Sequence, residues 1–472
     1  MELTGLPDLT KLMWAFGKAF LIAFVLTPIV RDVFRSYNVV DRPGRRKVHA
    51  YPIPRVGGVP IAIAYVFALL SLRGAGSVFP LHWVQTILSG ALVIFLTGLI
   101  DDFFNLSPLV KLAGQIAASA VAFANGLSID HLGTIALPFW VSLPLTIFWL
   151  LLTTNALNLI DGLDGLSAGI GFCATLTFVA AAAVHGDPVL AYTALPLAGA
   201  LLGFLFFNFN PATVFLGDSG ALLIGFLLGC YGIVWTGHGV TATGIALPLL
   251  ALCIPMMDLG LAIVRRRLRK QPIFSADRGH IHHRLLDRGL SVRRAATVLY
   301  AVGIAGGIAG LLLSYPGGSI FLRILVTTCV AVIALAGIRE LRYPEFRVAA
   351  RLLFHGEFHR VFADKLRMEQ LAQRLERAQT RDEWWQLLVE AAREWNWIRL
   401  KWFSYGAVRE EVLTVARKPV WSFVIELNDT ETVQVEGDSQ TGGRSPDLLG
   451  LSAVLSRTFQ GRSREWEQPA IS

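Results

Sequence analysis

Long apolar runs, each closed by a short polar stretch, repeat along most of this chain. A helix rises about 1.5 Å per residue, so a hydrocarbon layer of about 30 Å needs roughly 20 residues per crossing. The pattern predicts eleven crossings, at about 12–31, 58–75, 81–100, 109–126, 138–159, 164–184, 190–208, 219–236, 243–264, 295–314 and 319–338. The first run lacks an A-x-A cleavage pattern and ends in RDVFR, so it reads as a retained span rather than a removed signal. From about residue 339 the pattern turns soluble. Thr380-Arg381-Asp382-Glu383 reads as a capping box ahead of WWQLLVEAAREW. IRLKWFS, EVLTVAR, VWSFVIEL and TVQVE read as short strands. The expected fold is an all-α polytopic membrane protein of about eleven transmembrane helices over 1–338, with a soluble tail over 339–472. Within the tail we expect a small α+β cytoplasmic domain at about 360–437, and partial disorder over 438–472, where GDSQTGGRSP lies.

Composition agrees with this division, at 54% hydrophobic and only 16% charged residues. The four cysteines, Cys173, Cys230, Cys253 and Cys329, fall in or beside spans and form no disulfide frame. Charge then orients the chain. The loop after the first span holds Arg42, Arg45, Arg46, Lys47 and Arg55, and the loop after the ninth holds Arg265, Arg266, Arg267, Arg269 and Lys270. The loops after spans four, six, eight and ten hold no Lys or Arg. The positive-inside rule places the N-terminus outside and the tail in the cytoplasm. These loops account for most of the net charge of +8, so no nucleic-acid partner is invoked.

Polar motifs sort by the same parity. GLIDDFFNLSPLVK follows span three and carries Asp101, Asp102 and Lys111. NALNLIDGLDG follows span five and carries Asn155, Asn158, Asp161 and Asp164. FNFNPATVFLGDSG follows span seven and carries Asp218. SADRGHIHHRLL follows span nine and carries Arg278, His280, His282 and His283. DRPGRRKVHAYPIPRVGG follows span one. All five fall on the face assigned to the cytoplasm, which implies one site assembled from several loops. Plain structural readings exist for each. Asp101 and Asp102 could be a solvated helix end, Lys111 a membrane-edge lysine, and Asp218 or Ser219 a helix N-cap. Asn155 and Asn158 stand one i, i+3 step apart, so they share a helix face and suit either a ligand or a bond across helices. Zinc at HIHH would need a fourth ligand, and no Cys is near. Acids, amides and basic side chains at a membrane face suit phosphoryl transfer with magnesium, which takes one or two carboxylates and leaves its other positions to water and phosphate.

The combination DDFFNLSPLVK, NALNLIDGLDGLSAG, FLGDSG and SADRGHIHHRLLDRGLS resembles the bacterial polyprenyl-phosphate N-acetylhexosamine-1-phosphate transferase family over about residues 10–338. The resemblance implies an enzyme of the bacterial inner membrane that moves N-acetylhexosamine-1-phosphate, GlcNAc-1-phosphate first among the candidates, from a UDP-sugar to undecaprenyl phosphate and releases UMP. It implies Asp218 as the main magnesium (or manganese) ligand with Asn158 near the ion. One of Asp101 and Asp102 becomes the base, and Asp161 and Asp164 become active-site acids. Lys111, Asn155, Asn158, Arg278, His280, His282 and His283 become substrate contacts. A homodimer is a further state the resemblance allows. Two alternatives stand beside it: a phospho-MurNAc-pentapeptide or other UDP-N-acetylhexosamine donor, and a secondary transporter, whose acids would cluster at mid-bilayer. The tail has no counterpart in the resemblance.

Overall fold

The computed structural model describes residues 8–37, 40, 52–72, 81–133, 135–236, 244–268, 279–315, 317–340, 368–395, 397–413, 421–437 and 448–466. The chain divides into two compact units, Met1–Tyr343 and Pro344–Ser472.

The first unit is a helix bundle. Its helices are α1 (Leu9–Ser36), α2 (Gly58–Ser71), α3 (Leu81–Phe104), α4 (Pro108–Ala124), α5 (Phe139–Ile160), α6 (Leu166–His185) and α7 (Pro188–Asn208). They continue with α8 (Gly217–Thr236), α9 (Ala246–Ala251), α10 (Cys253–Leu268), α11 (Ile281–Asp287), α12 (Val292–Ser314) and α13 (Ile320–Glu340). A small hairpin, β1 (His131–Leu132) with β2 (Ile135–Ala136), joins α4 to α5. Among the described residues, eight helices are long and apolar enough to cross a membrane. Three of the eleven predicted spans fall short of that measure. The second and fourth are helices of 14 and 17 residues. The ninth is broken at Leu252 into α9 and α10. Pro255 supplies the reason: it has no N–H to give the carbonyl of Ala251, so the ladder is interrupted there.

α8 lies at the centre and is enclosed on nearly all sides. Small residues make that burial feasible. Gly225 lies against the backbone of Thr153 and Thr154, where a Cβ would come within 2.7 Å. One turn on, the Trp149 indole donates to the Gly229 carbonyl at 2.9 Å. Without a hydrophobic driving force between helices in lipid, such close backbone packing carries the association. By contrast α13 keeps Ile320, Phe321, Ile324, Val332 and Leu335 exposed, a surface suited to hydrocarbon.

The second unit is a four-stranded antiparallel sheet of β3 (Arg399–Ser404), β4 (Ala407–Val412), β5 (Trp421–Glu426) and β6 (Glu431–Gly437), in the order β4-β3-β6-β5. Its helices are α14 (Arg381–Glu394) and α15 (Leu448–Trp466), with a helical stretch over 368–375. The Thr380 cap forms, with the Glu383 N–H donating to Thr380 Oγ1 at 3.1 Å, but Glu383 Oε2 accepts the N–H of Gln379, one residue before the N-cap that the box would use, at 2.7 Å. Of the stretch 438–472, expected to be partly disordered, residues 448–466 form α15, while 438–447 and 467–472 lie outside the described residues. Leu451, Leu455 and Phe459 recur at the helical i, i+4, i+8 spacing and are fully buried beside Trp384 and Trp402.

Candidate functional site

Five connections meet at one end of the bundle. The segment before α2 runs beside the segment before α8 as a parallel bridge, Arg55 against Phe215. Phe215 N–H donates to the Pro54 carbonyl at 2.8 Å, and the Gly57 and Gly58 N–H groups donate to Phe215 and Leu216 at 3.0 Å each. Asp164, after α5, accepts from Asn210 Nδ2 at 2.8 Å and from the Ala212 N–H at 3.0 Å, both before α8. From α12, Arg293 Nε donates to the Asn210 carbonyl at 2.8 Å and Tyr300 to the Gly165 carbonyl at 2.6 Å. Asp164 thus holds two loops together.

The adjacent acids have different surroundings. Asp102 spends both oxygens on the start of α8, taking the N–H of Asp218 at 2.7 Å and of Ser219 at 3.0 Å. The plain structural alternative put the cap of α8 on its own Asp218 or Ser219; instead a carboxylate from α3 satisfies those free donors. Gly217 enters with φ +73°, and a Cβ there would stand 2.8 Å from Asp102 Oδ2, so glycine is required twice over. Asp101 accepts from the Leu106 N–H at 2.7 Å through Oδ1 and pairs with Lys111 Nζ at 3.1 Å through Oδ2. The same ammonium pairs with Asp218. Asn158 Nδ2 donates to Asp218 Oδ1 at 2.8 Å. Asp101, Lys111, Asp218 and Asn158 therefore form one connected group.

Asn155 stands apart from it. Its amide exchanges hydrogen bonds with Gln115 on α4, at 2.7 and 3.2 Å, and also donates to the Leu151 carbonyl at 2.7 Å. Of the two readings the sequence left open for this residue, the bond across helices is the one present. Gln115 escaped notice because a lone amide within an apolar run carries no local signal.

Asp161 caps the C-terminus of α5. Desolvation pushes its carboxyl up to about 8; the Arg55 guanidinium draws it back, while Asp218, Asp102 and Asp164 add to the rise. Arg55 thereby belongs to the site's electrostatics, although the sequence read it only as an orienting charge.

The histidine segment approaches from α11. Nε2 of His282 packs onto Gly162, where a Cβ would stand 2.6 Å from it. His282 is 2% exposed, and its ring nitrogens meet no hydrogen-bond partner among the described residues. Burial, with His283 and His280 nearby, pushes it down to about 3, so its ring is neutral. The rings of His280 and His282 stack at 5.7 Å, and His282 and His283 lie 4.3 Å apart. Arg278 lies outside the described residues.

The acids sit at helix ends: Asp101 and Asp102 in the last turn of α3, Asp161 capping α5, Asp218 in the first turn of α8. That placement disfavours the transporter reading, which needs them at mid-bilayer. Among the described residues, no group of three or more His, Cys, Asp or Glu is placed to hold a metal ion. Asp218 and Asn158 carry side-chain oxygens of the kind magnesium takes, and magnesium commonly takes few protein ligands when phosphates supply the rest; here Asp218 Oδ1 accepts from Asn158 Nδ2 and Oδ2 pairs with Lys111.

Fold and site together define a multi-pass membrane protein with a polar, phosphate-suited cluster at one end of its helices. Residues 84–236 match the family described as glycosyl transferase family 4. The chain is 35% identical over 311 residues to the probable undecaprenyl-phosphate N-acetylglucosaminyl 1-phosphate transferase of Bacillus subtilis, covering 64% of this chain and 85% of that protein. It is 36% identical over 318 residues to the decaprenyl-phosphate N-acetylglucosaminephosphotransferase of Mycobacterium tuberculosis, covering 61% and 78%. A phospho-N-acetylmuramoyl-pentapeptide-transferase of Heliobacterium modesticaldum is 30% identical over 329 residues, covering 65% and 98%. The chain belongs to the polyprenyl-phosphate N-acetylhexosamine-1-phosphate transferase family.

Proposed function

We propose that this protein transfers GlcNAc-1-phosphate from UDP-GlcNAc to undecaprenyl phosphate, releasing UMP. The observation that carries this reading is the joining of Asp101, Lys111, Asn158 and Asp218, from four helices, into one polar group at the bundle end. A lipid phosphate can reach a helix end from the bilayer surface, while a nucleotide sugar reaches it from water. The similarity to GlcNAc-1-phosphate transferases, above that to a MurNAc-pentapeptide enzyme, supports the choice of sugar.

Asp218, with Asn158 beside it, would hold magnesium, or manganese in its place. Such an ion neutralises the donor diphosphate and the charge that builds during transfer. Lys111 supplies a second positive charge to the same phosphates. Both oxygens of Asp102 are held by the α8 backbone, whereas Asp101 Oδ2 is held only by the movable Lys111 side chain, so we assign Asp101 to take a proton from the lipid phosphate. A lipid phosphate oxygen bonds to the sugar-bearing phosphorus, the bond from that phosphorus to the UMP oxygen breaks, and UMP leaves. His282 and its stacked neighbours cover the turn that carries Asp161. We place the site and tail in the cytoplasm and the N-terminus outside, on the Lys and Arg asymmetry. We count α2, α4 and the α9–α10 pair as crossings, which gives eleven.

The test is direct. Purified protein is incubated with undecaprenyl phosphate, magnesium and a panel of UDP-sugars, and UMP and lipid-linked sugar are measured. UMP release that needs lipid and metal, and is fastest with UDP-GlcNAc, is expected. No release with any donor, from protein shown to be folded, refutes the reading.

A further inference from the structure

One acid lies outside every motif discussed so far. Asp258 sits in α10 and is fully buried, at 0% exposure. An ionised carboxylate that deep needs partners. Asp258 Oδ1 accepts the N–H of Ile281, the first residue of α11, at 2.9 Å. Its Oδ2 lies 2.9 Å from Nδ1 of His280. A carboxylate oxygen only accepts, so Nδ1 carries the proton and Nε2 is left as the ring's acceptor.

We propose that Asp258 is a positioning residue for transfer: it fixes the tautomer and plane of His280 and, through the stack, the placement of His282. The inference rests on the function proposed above. Two bonds from one carboxylate set both the first residue of α11 and the ring of the N-cap His280 just before it. The His280 plane lies within 6° of the His282 plane, and His282 in turn packs onto Gly162 between the two acids of the α5–α6 turn. Behind metal-binding histidines, a carboxylate that orients the ring through its second nitrogen is a recurring arrangement whose loss costs about 10–100-fold in metal affinity or activity, and we take that range as the scale here.

The test uses the full chain in lipid nanodiscs, with Asp258→Asn, Asp258→Glu, His280→Asn and the double variant. UMP release is measured, and the histidine ring nitrogens are read by 15N NMR, with His280 assigned by its variant. Expected are a protonated, pyrrole-type Nδ1 in the wild type, and a loss of about 10–100-fold in D258N with that signature changed. The double variant should be no slower than H280N alone, and D258E should recover part of the rate. An acceptor-type Nδ1 at His280 in the wild type overturns the proposal even if neither Asp258 variant folds. So do additive losses with the His280 signature unchanged. A wild type without transferase activity but with the protonated Nδ1 refutes the proposed function and leaves the Asp258–His280 pairing standing.

Discussion

Asp102→Asn separates a capping carboxylate from one that takes part in chemistry. In the structure Asp102 receives two backbone N–H groups at the start of α8, at 2.7 and 3.0 Å. Asn offers one acceptor oxygen, so one bond survives and an NH2 group is pressed against the other N–H. Loss of an N-cap costs about 0.5–2 kcal/mol. Loss of the negative charge at the helix N-terminus adds about 0.3–1 kcal/mol, and up to about 2 where partly buried. A buried N–H left without an acceptor costs about 1–3 kcal/mol. These overlap, so we expect a net loss of about 2–4 kcal/mol. Heating the detergent-solubilised full chain and following its monodisperse fraction should show earlier loss of D102N, by on the order of 5 °C or more. D102A, with no acceptor at all, should be at least as unstable. UMP release would fall too, because Asp218 follows directly from the capped turn. Stability is therefore the deciding readout. A D102N protein that melts with the wild type, within about 0.5 kcal/mol, yet releases no UMP would refute the capping argument and make Asp102 a reacting group.

Asp218→Asn is expected to abolish magnesium-dependent UMP release while the protein still inserts and purifies; full activity would remove Asp218 from the metal site. Asn155→Ala should destabilise the bundle by about 1–3 kcal/mol by stranding the Gln115 amide, whereas Q115L/N155L should melt near the wild type. Retained UMP release in that double variant would place Asn155 outside the chemistry, and its loss would return it to the substrate contacts. His282 is neutral in the fold at about 3 but takes a proton near pH 6.5 when unfolded, so its contribution to stability falls as pH drops from 6.5 towards 3. H282F should flatten that part of the melting profile while lowering transfer activity, and an unchanged acid profile would contradict its burial as a neutral ring.

The bundle was legible where apolar runs are long, because an uninterrupted run of span length has few alternatives. It was less legible where one side chain changes the backbone. Pro255 breaks the ninth span, yet its apolar character hides the break in a hydropathy pattern. The tail helix α15 was obscured by the Gly- and Ser-rich stretch ahead of it, although Leu451, Leu455 and Phe459 keep helical spacing. The site was legible as a set of loops, since parity alone gathered five connections that the fold does bring together.

The division of labour inside that set was hidden, and helix geometry explains why. Successive residues on a helix point about 100° apart, so two neighbouring acids need not form a pair in space. Asp101 turns to Lys111 and the loop before α4, while Asp102 turns to the start of α8. Asn155 and Asn158 share a face, but a three-residue step climbs about 4.5 Å along the axis. That is enough for the first to meet Gln115 on α4 and the second Asp218 on α8. Asp258 was missed for the opposite reason. It stands alone in an apolar run, with its partner His280 22 residues ahead across a loop, and a lone acid in a span asks for a partner without naming it. Motif spacing therefore identified which segments meet, whereas the role of each side chain depended on which neighbouring helix it faced.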